Sequence, residues 1–193
     1  YREVPVSILV VPAINRTTAA DAPALYASTV ARPLVEAGYY VYSVPFINEY
    51  FAQEGIVDGQ QLTSIPAQRF QTLFGADAVL FVTISNWDSN YYLTGGDVTV
   101  AVGFKLVSTR SGLVLWQHGE RVVENTSGDT DSLLLDIIAA AIQTKMTEYV
   151  PIARRVNRQI VATLPVGKYH ARHGKDADEA LNILRPETQS MAK

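Results

Sequence analysis

Cysteine is absent from this chain of 193 residues. Its absence excludes a thiol nucleophile, a thiolate metal ligand and a disulfide framework, so the fold rests on packing alone in any compartment. Histidine is scarce, at His118, His170 and His173. The last two stand three apart, where a short helix would put them on one face and His118 could join them on zinc. They fall in a polar stretch near the C-terminus, so surface histidines and no metal are the expectation. No apolar run reaches the ~18 residues of a membrane-spanning helix. Neither sign of charge dominates. The 16 basic and 19 acidic residues give a net −3, which provides no field to collect nucleic acid. The sequence also lacks G-x-G-x-x-G behind its first apolar run, G-x-x-x-x-G-K-[ST], G-x-S-x-G and H-E-x-x-H. No catalytic residue and no cofactor is expected.

What is present reads as architecture. At 48% hydrophobic the chain suits one compact domain with a real core. Phe74-Gly75-Ala76-Asp77-Ala78-Val79-Leu80 marks a helix closing on a glycine and running almost at once into a buried strand, an α/β junction. Strands are predicted at 6–11, 39–44 and 78–85, the first with no alternation, as befits a strand covered on both faces. Clean alternation over 98–107, a glycine-containing turn at 108–112 and a returning strand at 113–123 predict an antiparallel hairpin. A helix capped by Asp21 runs to Gly38, with Pro33 expected to kink or divide it. Another, capped by Ser64, turns Ala67, Phe70, Leu73 and Phe74 to the sheet. Residues 48–62 read as a loop with at most a short helical turn. The last long helix is capped by Thr130 or Asp131. Its stripe runs from Leu134, Ile137, Ile138, Ala141 and Ile142, past a bend at Pro151, to Ile152, Val156, Ile160 and Leu164. The fold class is therefore a single α/β domain over 1–164, with a mixed five-stranded sheet, an antiparallel C-terminal hairpin and packed helices. Residues 165–193 form a polar tail with a short helix near 176–184. The surplus length of the last helix either folds back on its own domain or covers a second subunit. Self-contact is the expectation, with a homo-oligomer left open.

Candidate sites are few. Asn15, Arg16, Thr17 and Thr18 lie between a buried strand and a helix N-terminus, where N–H groups favour anions. They are the ligand-binding candidates, although no glycine there lets the backbone wrap a phosphate. Glu49 and Asp88 each follow a strand and could approach as a carboxylate pair, but a solvated loop residue and a turn former are the simpler reading. Trp87, Tyr91 and Tyr92 either anchor a partner or close the core. Arg154, Arg155 and Arg158 make a small basic patch, a solvated helix face by default and otherwise a contact for acidic headgroups or a partner. All six of these last residues are interface candidates.

Three segments carry a resemblance to a known family: Arg32-Pro33-Leu34 with Gly38-Tyr39-Tyr40-Val41, Phe74 to Leu80, and Leu113 to Trp116. Over roughly 4–150 the chain resembles a group of bacterial proteins described as putative lipoproteins. In domain plan these resemble the periplasmic domain of the curli secretion lipoprotein and the lipoprotein activators of penicillin-binding proteins. In such relatives the hairpin turn carries an Asp ahead of a Thr-Gly. Here Ser108 and Ser111 stand at those places and Gly112 is retained. The resemblance implies a lipidated cysteine ahead of Tyr1 and attachment in the periplasm to the outer membrane. It implies a non-enzymatic protein that supports envelope assembly or transport through contacts with envelope proteins. The alternative is a small-molecule or anion-binding domain using the loop after the first strand.

Overall fold

The structure is a computed structural model and describes residues 3–92, 95–125 and 141–175. Its elements in chain order are β1 (Ser7–Val10), β2 (Ile14–Asn15), α1 (Ala22–Glu36), β3 (Tyr40–Val41), α2 (Val44–Gln53), a 3-10 turn (Gly59–Leu62), α3 (Gln68–Phe74), β4 (Ala78–Tyr92), β5 (Gly95–Ser108), β6 (Val114–Asn125) and α4 (Ala141–Val161). One mixed sheet runs β3-β1-β4-β5-β6, with β2 also on β4. β1 is parallel to both β3 and β4. β4, β5 and β6 are antiparallel. The five expected strands are thus present, joined by the two-residue β2, which is too short for its own pattern in the sequence.

The sheet separates two cores. On one face Ile8, Val10, Leu80, Val82, Ile84 and the inward residues of β5, Val98 to Leu106, meet α1 and α4. On the other, Leu9, Val11, Val79 and Phe81 meet Ile47, Phe51, Leu62 and Phe70 from α2, the 3-10 turn and α3. Burial on both faces explains why β1 reads as continuous apolar sequence. Ile152, Val156, Ile160 and Leu164 are all buried in the core that α1 shares. The far end of α4 therefore folds back on its own domain.

Within that core sits a closed polar trio. The Tyr26 hydroxyl donates to Asn157 Oδ1, the Asn157 amide donates to Thr29 Oγ1 at 2.9 Å, and the Thr29 hydroxyl donates to the Tyr26 carbonyl at 2.6 Å. All three residues are buried. Each of these groups finds a partner in the trio, so it fixes how α4 lies along α1 without leaving a costly orphan. Burial drives the Tyr26 phenol well above its ordinary range, which keeps it a donor.

Gly38 ends α1 as the sequence predicts. At φ 88° its N–H donates to the Val35 carbonyl and that of Tyr39 to the Leu34 carbonyl, a pairing that a left-handed residue completes. A side chain there would also overlap the backbone of His170. Residues 165–169 lie across this junction: Gly167 N–H donates to the Ala37 carbonyl at 2.7 Å and Tyr169 N–H to that of Gly38 at 3.0 Å.

Four expectations are corrected. Residues 44–53 form α2 rather than strand end and loop, because Pro45 opens a helix after Ser43, where its missing N–H costs nothing. β4 continues past Ser85 to Tyr92, since pairing with β5 overrides the turn chemistry of Asp88-Ser89-Asn90. Of the outcomes expected at Pro33 and Pro151, a kink or a divided helix, division does not occur, since α1 and α4 each continue through their proline. Pro33 lies in the last turn, close to where the helix ends. Leu73 is exposed, and Phe70 is the buried residue of α3. The expected cap and stripe over 130–140, the side chains of Ala141 and Ile142, and the helix near 176–184 lie outside the described residues.

Asn157→Ala removes the hub of the trio, orphans the Tyr26 hydroxyl and strips Thr29 Oγ1 of its donor. The expected loss is at least about 2 kcal/mol of unfolding free energy, read from urea midpoints. Tyr26→Phe combined with it should cost less than the sum of the two single changes, because both break one network.

Candidate functional site

The loop after β1 is built around one side chain. Asn15 Oδ1 accepts from the Thr17 N–H at 3.0 Å and the Thr17 hydroxyl at 2.8 Å, while its amide donates to the Ala19 carbonyl at 2.9 Å. The Asn15 N–H donates to Asp58 Oδ2 at 3.1 Å, and the Arg16 N–H to the Ile84 carbonyl at 2.8 Å. The Arg16 guanidinium is exposed and donates to Gln60 Oε1 at 2.9 Å. Thr18 is exposed. The four candidates thus lie together, with Asn15, Arg16 and Thr17 bonded to the loop itself, β4 and the 3-10 turn. The void beside it, lined by Pro23, Tyr26 and Asn48, measures about 10 Å³, too small for an organic ligand.

Trp87 is 3% exposed. Its ring stacks on Tyr149 at 5.0 Å and meets Tyr26 edge-on at 6.5 Å. It closes the core beneath α1 and α4. The backbones of Tyr91 and Tyr92 lie on β4 opposite Gly96 and Gly95, and their side chains lie outside the described residues. Arg154, Arg155 and Arg158 are exposed on α4, and Arg155 pairs with Glu124 of β6 at 2.9 Å. Glu49 is exposed on α2 and accepts from Gln53. Asp88 is exposed on β4, opposite Thr99. Neither lines the open groove of about 610 Å³ that runs over Phe81, Thr83, Gly103, Lys105 and Gly119. His118 pairs with Glu120 at 2.9 Å, whereas His170 lies against Gly38. Among the described residues no group of three His, Asp or Glu side chains could hold a metal ion.

A polar hub at the β5–β6 turn was not legible in the sequence. Ser108 Oγ accepts from the N–H groups of Arg110 and Ser111 at 3.2 and 3.1 Å and donates to Glu3. A hydroxyl thus does for this turn what the expected Asp would do. Its own proton then brings in a carboxylate from a residue more than a hundred positions away. Hydrogen bonds from Ser108 and Ser111, aided by the Arg110 charge, hold the Glu3 carboxyl below its usual range. Only long-range pairing reveals this contact; nothing local to Glu3 signals it.

A carboxyl whose folded pKa is depressed stabilises above its unfolded value and loses that contribution as pH falls through the folded one. Wild type should therefore melt above Glu3→Gln at neutral pH. The gap should close as pH drops below the ordinary carboxylate range, as read from Tm against pH.

The family model for putative lipoproteins of the GNA1162-like group matches residues 1–164. A putative lipoprotein of Neisseria meningitidis serogroup B is 30% identical over 138 residues, which is 72% of this chain and 64% of that protein. The chain thus spans somewhat less than two thirds of that relative's length. The crystal structure of lipoprotein GNA1162 from Neisseria meningitidis is 30% identical, with a TM-score of 0.58, and the match covers 75% of this chain and 100% of that one. A PelC dodecamer from Paraburkholderia phytofirmans, crystallised in space group C2, shares the fold at 17% identity, with a TM-score of 0.54 over 81% of this chain and 86% of that one. The chain belongs to the GNA1162-like family of putative lipoproteins.

Proposed function

We propose that the protein works without catalysis, as a tethered periplasmic domain that supports envelope assembly or transport by binding other envelope proteins. The observation that carries this reading is an exposed aromatic strip at the β3 edge. Tyr40 is 54% and Phe46 65% exposed. Tyr40 meets Tyr42 edge-on at 5.2 Å, and the Tyr42 hydroxyl donates to the Phe74 carbonyl at 2.9 Å. Phe74 in turn meets Tyr50 at 5.1 Å, one turn along α2 from Phe46. Exposed aromatics held by neighbours bury large area on binding with little loss of side-chain freedom. Among the described residues, polar side chains near the candidate sites serve the fold. Asn15 and Thr17 organise their loop, Asp58 caps the 3-10 turn and Ser108 holds the hairpin. The resemblance in domain plan to the curli secretion lipoprotein and to activators of penicillin-binding proteins points the same way.

A photo-crosslinking residue at Phe46, introduced in the native envelope, should yield a discrete protein adduct. Tyr40→Ser should weaken that capture about tenfold or more while changing stability by no more than about 0.5 kcal/mol. No adduct from position 46, together with saturable binding of a small anion lost in Arg16→Ala, would transfer the function to the loop after β1.

A further inference from the structure

We propose that two copies of this chain pair antiparallel through β6, with Gly119 on the two-fold axis, to make one continuous sheet. β6 is the outer strand of the sheet, and among the described residues no strand pairs with its free edge. The opposite edge, β3, spans Tyr40–Val41 alone, too little ladder to template a partner. β6 spans Val114–Asn125 without proline; its bulged residue, Leu115, lies near its start, and from Trp116 to Asn125 it pairs with β5 without a register shift. A long edge whose N–H and C=O groups meet no strand among the described residues is a site for strand addition. Val114 and Val123 are 54% and 55% exposed on it.

The occupant follows from register. In an antiparallel self-pairing, facing residues must point to the same side, so the two numbers of every pair share parity and only alternate registers are allowed. With Gly119 opposite Gly119, His118 faces the second copy's Glu120 and Trp116 faces its Val122. Each of these pairs occurs twice by symmetry. Gln117 faces Arg121. Opposite-charge and aromatic–β-branched pairs are the favourable cross-strand combinations. Moving one allowed step sets Glu120 against Glu120 and Trp116 against Glu124. One step the other way sets His118 against itself and Trp116 against Glu120. A further step past the Glu120 register opposes Arg121 to Arg121. The strand is thus self-complementary in one register, centred on the residue without a side chain. His118 and Glu120 already meet within one copy at 2.9 Å while remaining 31% and 40% exposed, so they can exchange partners between copies without leaving either group buried and alone.

The absence of native cysteine makes the test direct. Gly119→Cys should form a disulfide-linked dimer on mild oxidation, because facing residues lie about 4.5–5.5 Å apart. Gln117→Cys alone and Arg121→Cys alone should stay monomeric, since their copies are displaced by about 13 Å along the strands. Mixing those two variants should give the mixed dimer. In sedimentation of unmodified protein, Glu120→Lys should raise the dimer Kd tenfold or more, and the exchanged pair His118→Glu with Glu120→His should restore it. Circular dichroism identifies any variant that fails to fold, and the mixed 117/121 experiment decides the matter if Gly119→Cys is that variant. Folded variants that stay unlinked, links that form instead from the 117 or 121 variants with themselves, or a wild type monomeric at high concentration would each overturn the proposal.

Discussion

One carboxylate sets the frame on which the sheet is assembled. Asp77 Oδ2 accepts from the N–H groups of Val6 and Ser7, each at 3.0 Å, and from the Ser7 hydroxyl at 3.1 Å. The Asp77 N–H donates back to Ser7 Oγ at 3.0 Å. On its other side the Asp77 carbonyl accepts from Thr109 N–H, and the Thr109 hydroxyl reaches the Ala76 carbonyl. β1 is apolar on both faces, so its hydrophobic pattern alone penalises a slip only weakly. The clasp supplies what the pattern lacks. With Ser7 held to Asp77, Ile8 pairs with Ala78 and Leu9 with Val79, and both cores receive the intended side chains. Ala76 and Asp77 also hold the turn of the hairpin through Thr109, so the parallel and antiparallel halves of the sheet are registered from one place.

Several polar side chains inside the molecule act as fasteners between distant parts of the chain. The Tyr26–Asn157–Thr29 trio joins residues more than 120 positions apart, Ser108 joins the hairpin to Glu3, and Asp58 joins the 3-10 turn to Asn15. Such groups give a fold uniqueness, since a misplaced α4 would leave buried hydroxyls unmatched. The surface differs in kind. It presents exposed aromatics at one edge of the sheet and a regular open strand at the other, features suited to contacts with proteins.

How far the sequence revealed this depends on whether a signal was local. The alternation of Val98, Val100, Val102, Phe104 and Leu106 places β5 and its buried face correctly because strand period is a local property. Gly38 and Gly75 mark helix ends because a left-handed residue is needed there. Pro45 misleads, since a proline that ends a strand and one that opens a helix look alike until Ser43 is seen to leave extended structure for α2. Asp88-Ser89-Asn90 reads as a turn by composition and is strand by virtue of its partner. Family membership was legible from short motifs around Gly38, Gly75 and Leu113. The four loop candidates are indeed neighbours, as their contiguity required. Glu3 could not be singled out by any reading, because its role depends on residues a hundred positions away.

The register shift between Ile84 and Asn86 against β5 has a consequence for the outer half of that hairpin. Ser85 is the extra residue, its hydroxyl reaching the Ala101 carbonyl at 3.3 Å. Before it, even-numbered residues of β4 face α1 and α4; after it, Trp87 does. Ser85 is therefore a phase inverter. It lets a strand whose first half is tuned to one parity deliver an indole to the same side in the other parity, where Tyr149 and Tyr26 receive it. Were Ser85 absorbed into a regular ladder, Asn86 would take the inward place and the indole would turn to solvent. Removing Ser85 altogether would instead keep both the partners and the faces, at the cost of the local twist that a bulge supplies. Two related hairpins that differ by one residue at this point can thus bury the same surface. Alignments of them must keep count of odd and even positions on either side of the bulge, because a gap placed elsewhere in the strand would match inward with outward faces.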